Sequence, residues 1–532
     1  MNARELASHV SNRTGPVAPG RRRLLQAAWS MALAGLVAPP LARHARAQPR
    51  FPADPFALGV ASGCPRPDGF VLWTRLAPEP LAGGGLGSSS YAVAWEVAAD
   101  ASFRSIVRKG TANAVPGEAH SLHVELNGLE PDRVYWYRFH AGDATSRTGR
   151  TRTAPAPGAD VDRLRFAIAS CQQYEQGYYA AYRHMAADDV DLVVFLGDYI
   201  YESSWGSRHV RSHDVGEPLT LEAYRNRYAL YKSDPDLQRM HGAAPWLVTW
   251  DDHEVENDYA NDRSQRLDPD FLVRRAAAYR AYYEHMPLPS SALPRGPAMQ
   301  LYDRYQYGQL ATFHVLDNRQ YRSYQPCPRP DRGGSNTVQN CPERLDPTLT
   351  LLGTQQERWL HEGLDRSKAR WNVIAQQTLM ARAARPTASG GTAYWTDGWD
   401  GYPAARQRLL DHIATRKPSN PLVVSGDVHT NYVCDLRPDF DDPRSPVVAS
   451  EFCGTSITSQ SWAQSRIDAF RAINPHMRHA NSEKRGYVLI ELEAARATAR
   501  LRALDNEKRP DSRITTQASF VVEDGRPGPK PA

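Results

Sequence analysis

Past its first fifty residues the chain has no stretch long and apolar enough to cross a bilayer. It has no internal repeat, which argues against a solenoid or propeller. It also lacks a usable excess of positive charge. Residues 1–47 hold seven arginines and one glutamate, and subtracting their +6 from the chain's +5 leaves −1. That removes the composition argument for nucleic-acid or acidic-membrane partners. Cysteine is scarce, six in 532 residues. Cys327 and Cys341 flank a polar loop and are the best disulfide candidates; Cys434 and Cys453, on neighbouring strand-like segments, could also pair. Cys64 and Cys171 remain.

The first residues read as a targeting leader. Arg21–Arg23 precede a mildly apolar, Ala-rich stretch, and Ala45-Arg46-Ala47 offers a cleavage site. The weak hydrophobicity and long polar start favour a twin-arginine signal over a Sec signal. The expectation is therefore export to the periplasm or beyond, through the twin-arginine machinery and without a permanent membrane anchor.

Two patterns of sequence follow. From Phe51 to Thr153 the segments alternate or are rich in aromatics, which predicts a small β-sandwich. The run L-N-G-L-E-P-D-R-V-Y-W-Y-R resembles the strand-turn-strand of fibronectin type III domains, with a tyrosine capping a sheet corner. Ala154–Gly158 reads as a linker. Beyond it, strands alternate with helices, the pattern of an α/β fold. The helix near Thr354–Leu364 is expected to start with a capping box between Thr354 and Glu357. The stretch Asp524–Ala532 is expected to be disordered.

The predicted strands end repeatedly in ligand-type residues. Leu164–Ala169 leads to Cys171, and Leu192–Leu196 to Asp198 and Tyr201. Trp246–Trp250 leads to Asp252 and His253, Ala311–Leu316 to Asp317 and Arg319, and Leu422–Val424 to Asp427 and His429. Open α/β sheets place their chemistry at the carboxyl ends of strands. Thiolate, phenolate, carboxylate and imidazole (Cys171, Tyr201, Asp198, His429) suit a charge-dense ion such as ferric iron. Asp252, Asp427 and Asn257 are oxygen donors that suit calcium, magnesium or manganese. Asp198 could bridge the two ions. No Ser or Thr nucleophile stands out.

These motifs together resemble the PhoD family of bacterial alkaline phosphatases, within the calcineurin-type metallophosphoesterases and distantly similar to purple acid phosphatases. They are A-S-C-Q-Q, L-G-D-Y-I-Y-E, W-D-D-H-E-V-E-N-D-Y, L-D-N-R-Q-Y-R, D-G-W-D-G-Y-P-A-A-R and S-G-D-V-H-T-N. The resemblance implies a four-layer α/β/β/α sandwich preceded by a fibronectin III-like β-sandwich. It divides the chain into a leader (1–47), an N-terminal β-sandwich domain (48–155), a metallophosphoesterase domain (160–515) and a tail (516–532). It implies one ferric iron and two calcium ions, with magnesium, manganese or zinc as alternative second metals, and a metal-bound hydroxide as nucleophile. Asp198 would bridge, and His253 would face the leaving group. Arg319 could hold a phosphate oxygen, unless it simply pairs with Asp317. Ligands of the third metal stay open among Asn257, Asp258 and Asp262. Tyr394, Trp395, Trp399 and Tyr402 could wall the pocket.

The expected activity is hydrolysis of organic phosphoesters. The alternative within this class is a phosphodiesterase or phospholipase D acting on phospholipid or cell-wall diesters. A non-catalytic binding protein is the reading outside it, and the intact donor set argues against that. Substrates would be small or polymeric phosphoesters, with no stable nucleic-acid complex.

Overall fold

A computed structural model describes residues 49–532; the arginine cluster and cleavage site of the leader lie outside them. Two parallel blocks of strand position everything else. In the first, Arg163–Ala169, Leu192–Leu196 and Trp246–Thr249 lie side by side, with Val193 opposite Ala167 on one side and Trp246 on the other. In the second, Ala311–Val315, Trp371–Thr378, Pro421–Gly426 and Ala449–Cys453 run parallel in that order. The first block lies within a ten-stranded sheet and the second within a seven-stranded sheet.

The apolar runs that make these strands are buried on both faces because each face has its own partner. Every residue of Trp371–Thr378 is buried. Val373 and Ala375 join a core shared with the first sheet, whereas Ile374 packs with Leu360, Leu364, Leu409 and Ile413 of two helices, Gly353–Arg366 and Pro403–Arg416. Leu422 and Val424 divide from Val423 in the same way, as a side-chain period of two requires. Phe166 meets Phe313 edge-on between the sheets, their centroids 5.2 Å apart. On the outer face of the first sheet Trp250 stacks on Tyr279 of helix Phe271–His285 at 4.0 Å. The result is the expected α/β/β/α layering.

At the carboxyl ends one side chain joins the two sheets. Gln377 Nε2 donates to Thr249 Oγ1, Trp250 O and Leu316 O at 2.7–2.8 Å. Glycines allow close approach within the first sheet, at Gly197, and between the two sheets, at Gly426. A Cβ on Gly197, which takes φ +104°, would sit 2.5 Å from Asp251 Cβ, and one on Gly426 would sit 2.3 Å from Ser170 Oγ.

The N-terminal strands form a sandwich, but one of its sheets is not its own. Val60–Arg66, Gly69–Arg75 and Ser121–Leu126 extend the ten-stranded sheet beyond Trp246–Thr249. The facing five-stranded sheet closes a separate core around Leu72, Val93, Val97, Tyr137 and Phe139. Tyr135 Oη accepts from Glu130 N at 3.0 Å, the expected corner. The Ala154–Gly158 segment is not a free linker: Ala154 is buried and its N–H donates to Arg66 O.

Three local expectations fail for identifiable reasons. The helix Gly353–Arg366 starts after Leu352 without a side-chain cap; Gly353 turns the chain at φ +73°, and its N–H goes to Thr350 Oγ1 at 2.9 Å. Thr354 therefore caps nothing, and Glu357 instead holds Arg408. Cys434 and Cys453 are free thiols; Cys434 stands opposite Glu451 and Cys453 opposite Tyr432, two places out of register. Cys327 and Cys341 are bonded. The tail is ordered: Ile514–Glu523 and Arg526–Pro531 form the last two strands of the ten-stranded sheet. Its prolines 527, 529 and 531 are tolerated because they lie on an edge strand at alternate positions, while Ala532 N donates inward to Ser519 O. No helix among the described residues is long and apolar enough to cross a membrane.

Candidate metal centre

At three of the strand ends that bring the donors together the backbone turns left-handed. Cys171, Asp198, Asp427 and His429 have φ of 59°, 58°, 64° and 52°. Such a conformation is costly for a residue with a Cβ, on the order of 1 kcal/mol or more, and it clusters at functional sites. Here it swings each side chain across the sheet edge toward the others.

Cys171 Sγ, an Asp198 oxygen and a His429 ring nitrogen lie within 4.8 Å of one another. Tyr201 Oη donates to Asp198 Oδ2 at 2.9 Å, lies 3.3 Å from His429 Nε2 and accepts from Ser459 Oγ at 2.8 Å. His429 Nδ1 is 2.8 Å from Gln460 O, which turns Nε2 toward the cluster. Asp198 shares further clusters with Asp252 and His253, and with Asp251 and Asp427. A fourth cluster groups Asp252, Asp258 and Asp397.

The set fits cations. Asp198 Oδ1 and Asp427 Oδ2 are buried without a hydrogen-bond partner among the described residues, an arrangement native proteins avoid unless something else binds there. Burial, followed by neighbouring carboxylates, pushes Asp198 and Asp427 far above the usual carboxylate range. Burial and then the charge of Asp198 push up both the Cys171 thiol and the Tyr201 phenol. Positive ions would relieve all four at once.

Around this floor the remaining charges are paired. Burial pushes Asp252 up, but Arg319 and His253 outweigh it and bring it down to about 2. His253 Nδ1 sits 2.6 Å from Glu202 Oε2. Burial pulls the imidazole down, while Glu202, Asp252 and Asp198 push it well above its ordinary value. Glu202 also accepts from Asn257 N at 3.0 Å. It stands in the L-G-D-Y-I-Y-E run, and only the fold reveals what it holds.

Arg319 is placed differently from the expectation. It is wholly buried, does not line the cleft, and its guanidinium engages Asp251, Asp397 at 2.7 Å and Asp252 at 3.5 Å. It does not pair with Asp317, whose carboxylate accepts from the N–H of Arg319, of Gln320 and of the Trp250 indole, each at 3.0 Å. Asp397 had no signal beyond lying in the T-D-G-W-D-G stretch; Arg319 and Arg322 both hold it. Asn257 lines the cleft, and its side-chain amide has no protein partner among the described residues. Asp258 lies in the fourth cluster, but its carboxylate is bound by Ser335 and Gln265. Asp262 is exposed and accepts from Tyr324, away from the donors.

The donors open into a cavity of about 630 Å³. Asp198, Asp252, His253, Asp427 and His429 lie at its acidic floor, and one wall is apolar and aromatic, with Leu379, Trp395, Trp399, Trp462, Ile467 and Phe470. Of the four aromatics expected to wall it, Trp395 and Trp399 do. Tyr394 lies under Arg344, and Tyr402 is buried with its hydroxyl on Ser323 O.

Comparison with known proteins agrees with this geometry. The family model described as PhoD-like phosphatase matches residues 166–501, and that of the PhoD-like phosphatase N-terminal domain matches residues 42–155. The chain is 49% identical over 496 residues to alkaline phosphatase D of Bacillus subtilis (strain 168), covering 91% of this chain and 83% of that one. A solved structure titled "Structure of PhoD" superposes with a TM-score of 0.87 at 47% identity, covering 91% and 93% of the two chains. The protein belongs to the PhoD-like phosphatase family and is a phosphoester hydrolase.

Proposed function

We propose that this hydrolase releases phosphate from organic phosphomonoesters outside the cytoplasm, using one ferric iron and calcium. The observation that carries the reading is the cluster of Cys171, Asp198, Tyr201 and His429, with carboxylate oxygens beside it that have no partner among the described residues. In this reading those four residues hold iron. Asp198, Asp252 and Asp427, with Asn257 beside them, hold the calcium side; magnesium, manganese or zinc are alternatives there. Bound ions supply Lewis acidity, neutralising phosphate oxygens and making water a competent nucleophile at mild pH.

The protein's own groups do the rest. Glu202 accepts the Nδ1–H of His253 and so fixes its tautomer, leaving Nε2 to protonate the departing alkoxide. His429 is oriented by Gln460 O. Arg319 is a positioning residue: it steadies Asp251, Asp252 and Asp397 from beneath and does not itself grip phosphate. Export through the twin-arginine route rests on Arg21–Arg23 and the Ala45-Arg46-Ala47 site. Lysines in place of those three arginines should leave the precursor in the cytoplasm, and normal export would point to Sec.

One feature favours the second reading, a phosphodiesterase or phospholipase D. The cavity runs beyond the donors along an apolar wall, with room for a second ester substituent. Initial rates at alkaline pH on a chromogenic phosphate monoester and its diester, with metal analysis of the purified protein, separate the two. Monoester turnover with bound iron supports the first reading, and dominant diester turnover replaces it.

A further inference from the structure

The cleft is charged with opposite signs on two sides. Its floor is carboxylate, but its wall carries Arg385, at the start of the short strand Arg385–Pro386. The guanidinium is packed by aromatic rings: its Cζ lies 4.6 Å from the centroid of Trp462, 5.6 Å from Phe470 and 5.7 Å from Trp395. Its one side-chain hydrogen bond among the described residues is from Nη1 to Thr337 Oγ1, at 3.1 Å. Nε is buried without a partner, and no carboxylate among the described residues pairs with this arginine.

Arg319, Arg322 and Arg485 nearby have partners for their charge. Arg319 and Arg322 bind Asp397. Arg485, which has no carboxylate either, is taken up by the carbonyls of His429, Ser459 and Ser482. Arg385 keeps donors free in a half-enclosed, aromatic-lined place, where a charge-assisted hydrogen bond is stronger than in open water. At the rim a second guanidinium, that of the exposed Arg466, has its Cζ 3.9 Å from the Trp462 ring centroid and has no ion pair among the described residues. The two cations thus share one indole that is 41% exposed.

We infer that Arg385, with Trp462 and Arg466 at the rim, forms a second anion subsite, and that preferred substrates carry a further phosphate or carboxylate beyond the scissile phosphate. The inference rests on the proposed placement of the scissile phosphate at the acidic floor. Both ends of such a substrate would lie on positive charge: the scissile end on the ions that the carboxylates are proposed to hold, the distal end on guanidinium.

The test compares an alkanediol bisphosphate with the alkyl monophosphate of equal chain length, by phosphate release from the metal-loaded full-length mature protein. The wild type should prefer the bisphosphate by about tenfold in kcat/KM, the worth of one charge-assisted hydrogen bond. Arg385→Gln should bring the ratio near one, Arg466→Gln should lower it less, and Arg385→Lys should restore part of it. A wild-type ratio near one, or a ratio unchanged by Arg385→Gln, overturns the subsite. The matching carboxyalkyl phosphate shows whether the site takes carboxylate as well as phosphate. If neither probe is hydrolysed, the failure lies with the catalytic reading. Calorimetric binding of the same two probes then decides the subsite: tighter binding of the bisphosphate that Arg385→Gln removes supports it, and equal binding overturns it.

Discussion

The floor and the wall of the cleft are built by opposite means. Floor residues stand just after core strands, Asp198, Asp427 and His429 on left-handed backbone, with Gly426 letting the two sheets close to within contact. Wall residues come from short strands, loops and the helix Gln464–Ala472, and several are partly exposed. The floor stores charge that its own neighbours do not neutralise, whereas the wall offers rings and free donors. Reaction chemistry needs fixed geometry and gets it from the scaffold; selection among substrates tolerates adjustable parts. The two arginines make the contrast concrete: Arg319 is locked among three carboxylates, and Arg385 has none among the described residues.

The contrast can be broken most sharply at Asp198. Asp198→Ala should lower kcat by about a thousandfold or more, since Lewis-acid stabilisation worth several kcal/mol would go with the ions it is proposed to hold. Metal analysis should show loss of both kinds of ion; an active, metal-replete variant would remove Asp198 from the floor. Next comes Arg319→Gln, which leaves buried carboxylates without their counter-charge and should destabilise the fold by about 3–5 kcal/mol. A melting temperature equal to wild type would mean that those carboxylates do not depend on it.

Glu202→Gln acts through His253. Glu202 holds the folded-state pKa of His253 up, so removing the charge lowers that pKa. The acid form is then lost at lower pH, and the alkaline limb of kcat/KM should move down by about one unit, roughly a tenfold loss on that limb. An unmoved limb would take the proton-donor role from His253. The smallest effect belongs to the wall: Trp462→Ala should raise KM about threefold with kcat little changed, because it removes stacking rather than reaction geometry. A fall in kcat instead would erase the distinction between the two regions.

Much of the floor is legible in the sequence. Leu192–Leu196 is apolar at every position and then stops at Gly197-Asp198, so both the strand and its polar end can be read from one run. Cys171, Asp252, Asp427 and His429 follow by the same logic, and the structure brings them together. The partners of Arg319 are not legible. Asp317 is two residues away, but its carboxylate turns back to cap backbone N–H groups; Asp397, 78 residues on, arrives only once the strand Thr392–Trp395 has folded. Glu202 is visible as a polar residue, but what it holds comes from a strand end 51 residues later. The wall is least legible, because Trp462 and Arg385 have no periodicity that marks them and meet only across a loop. The tail misleads for a simpler reason: proline-rich composition suggests disorder, and edge strands are where sheets accept proline.

That last strand has a consequence for how copies of the protein meet. A ten-stranded sheet exposes a terminal row of backbone donors and acceptors, a template on which another chain could add. Here the outermost strand, Arg526–Pro531, carries proline at 527, 529 and 531, so three of its six residues have no amide N–H to offer. The sheet is thereby closed to further growth at that edge. Deleting the final seven residues would uncover Ile514–Glu523, which is β-branched and aromatic over much of its length. Self-association of the truncated chain, read by light scattering, should then appear at concentrations where the full chain stays dispersed.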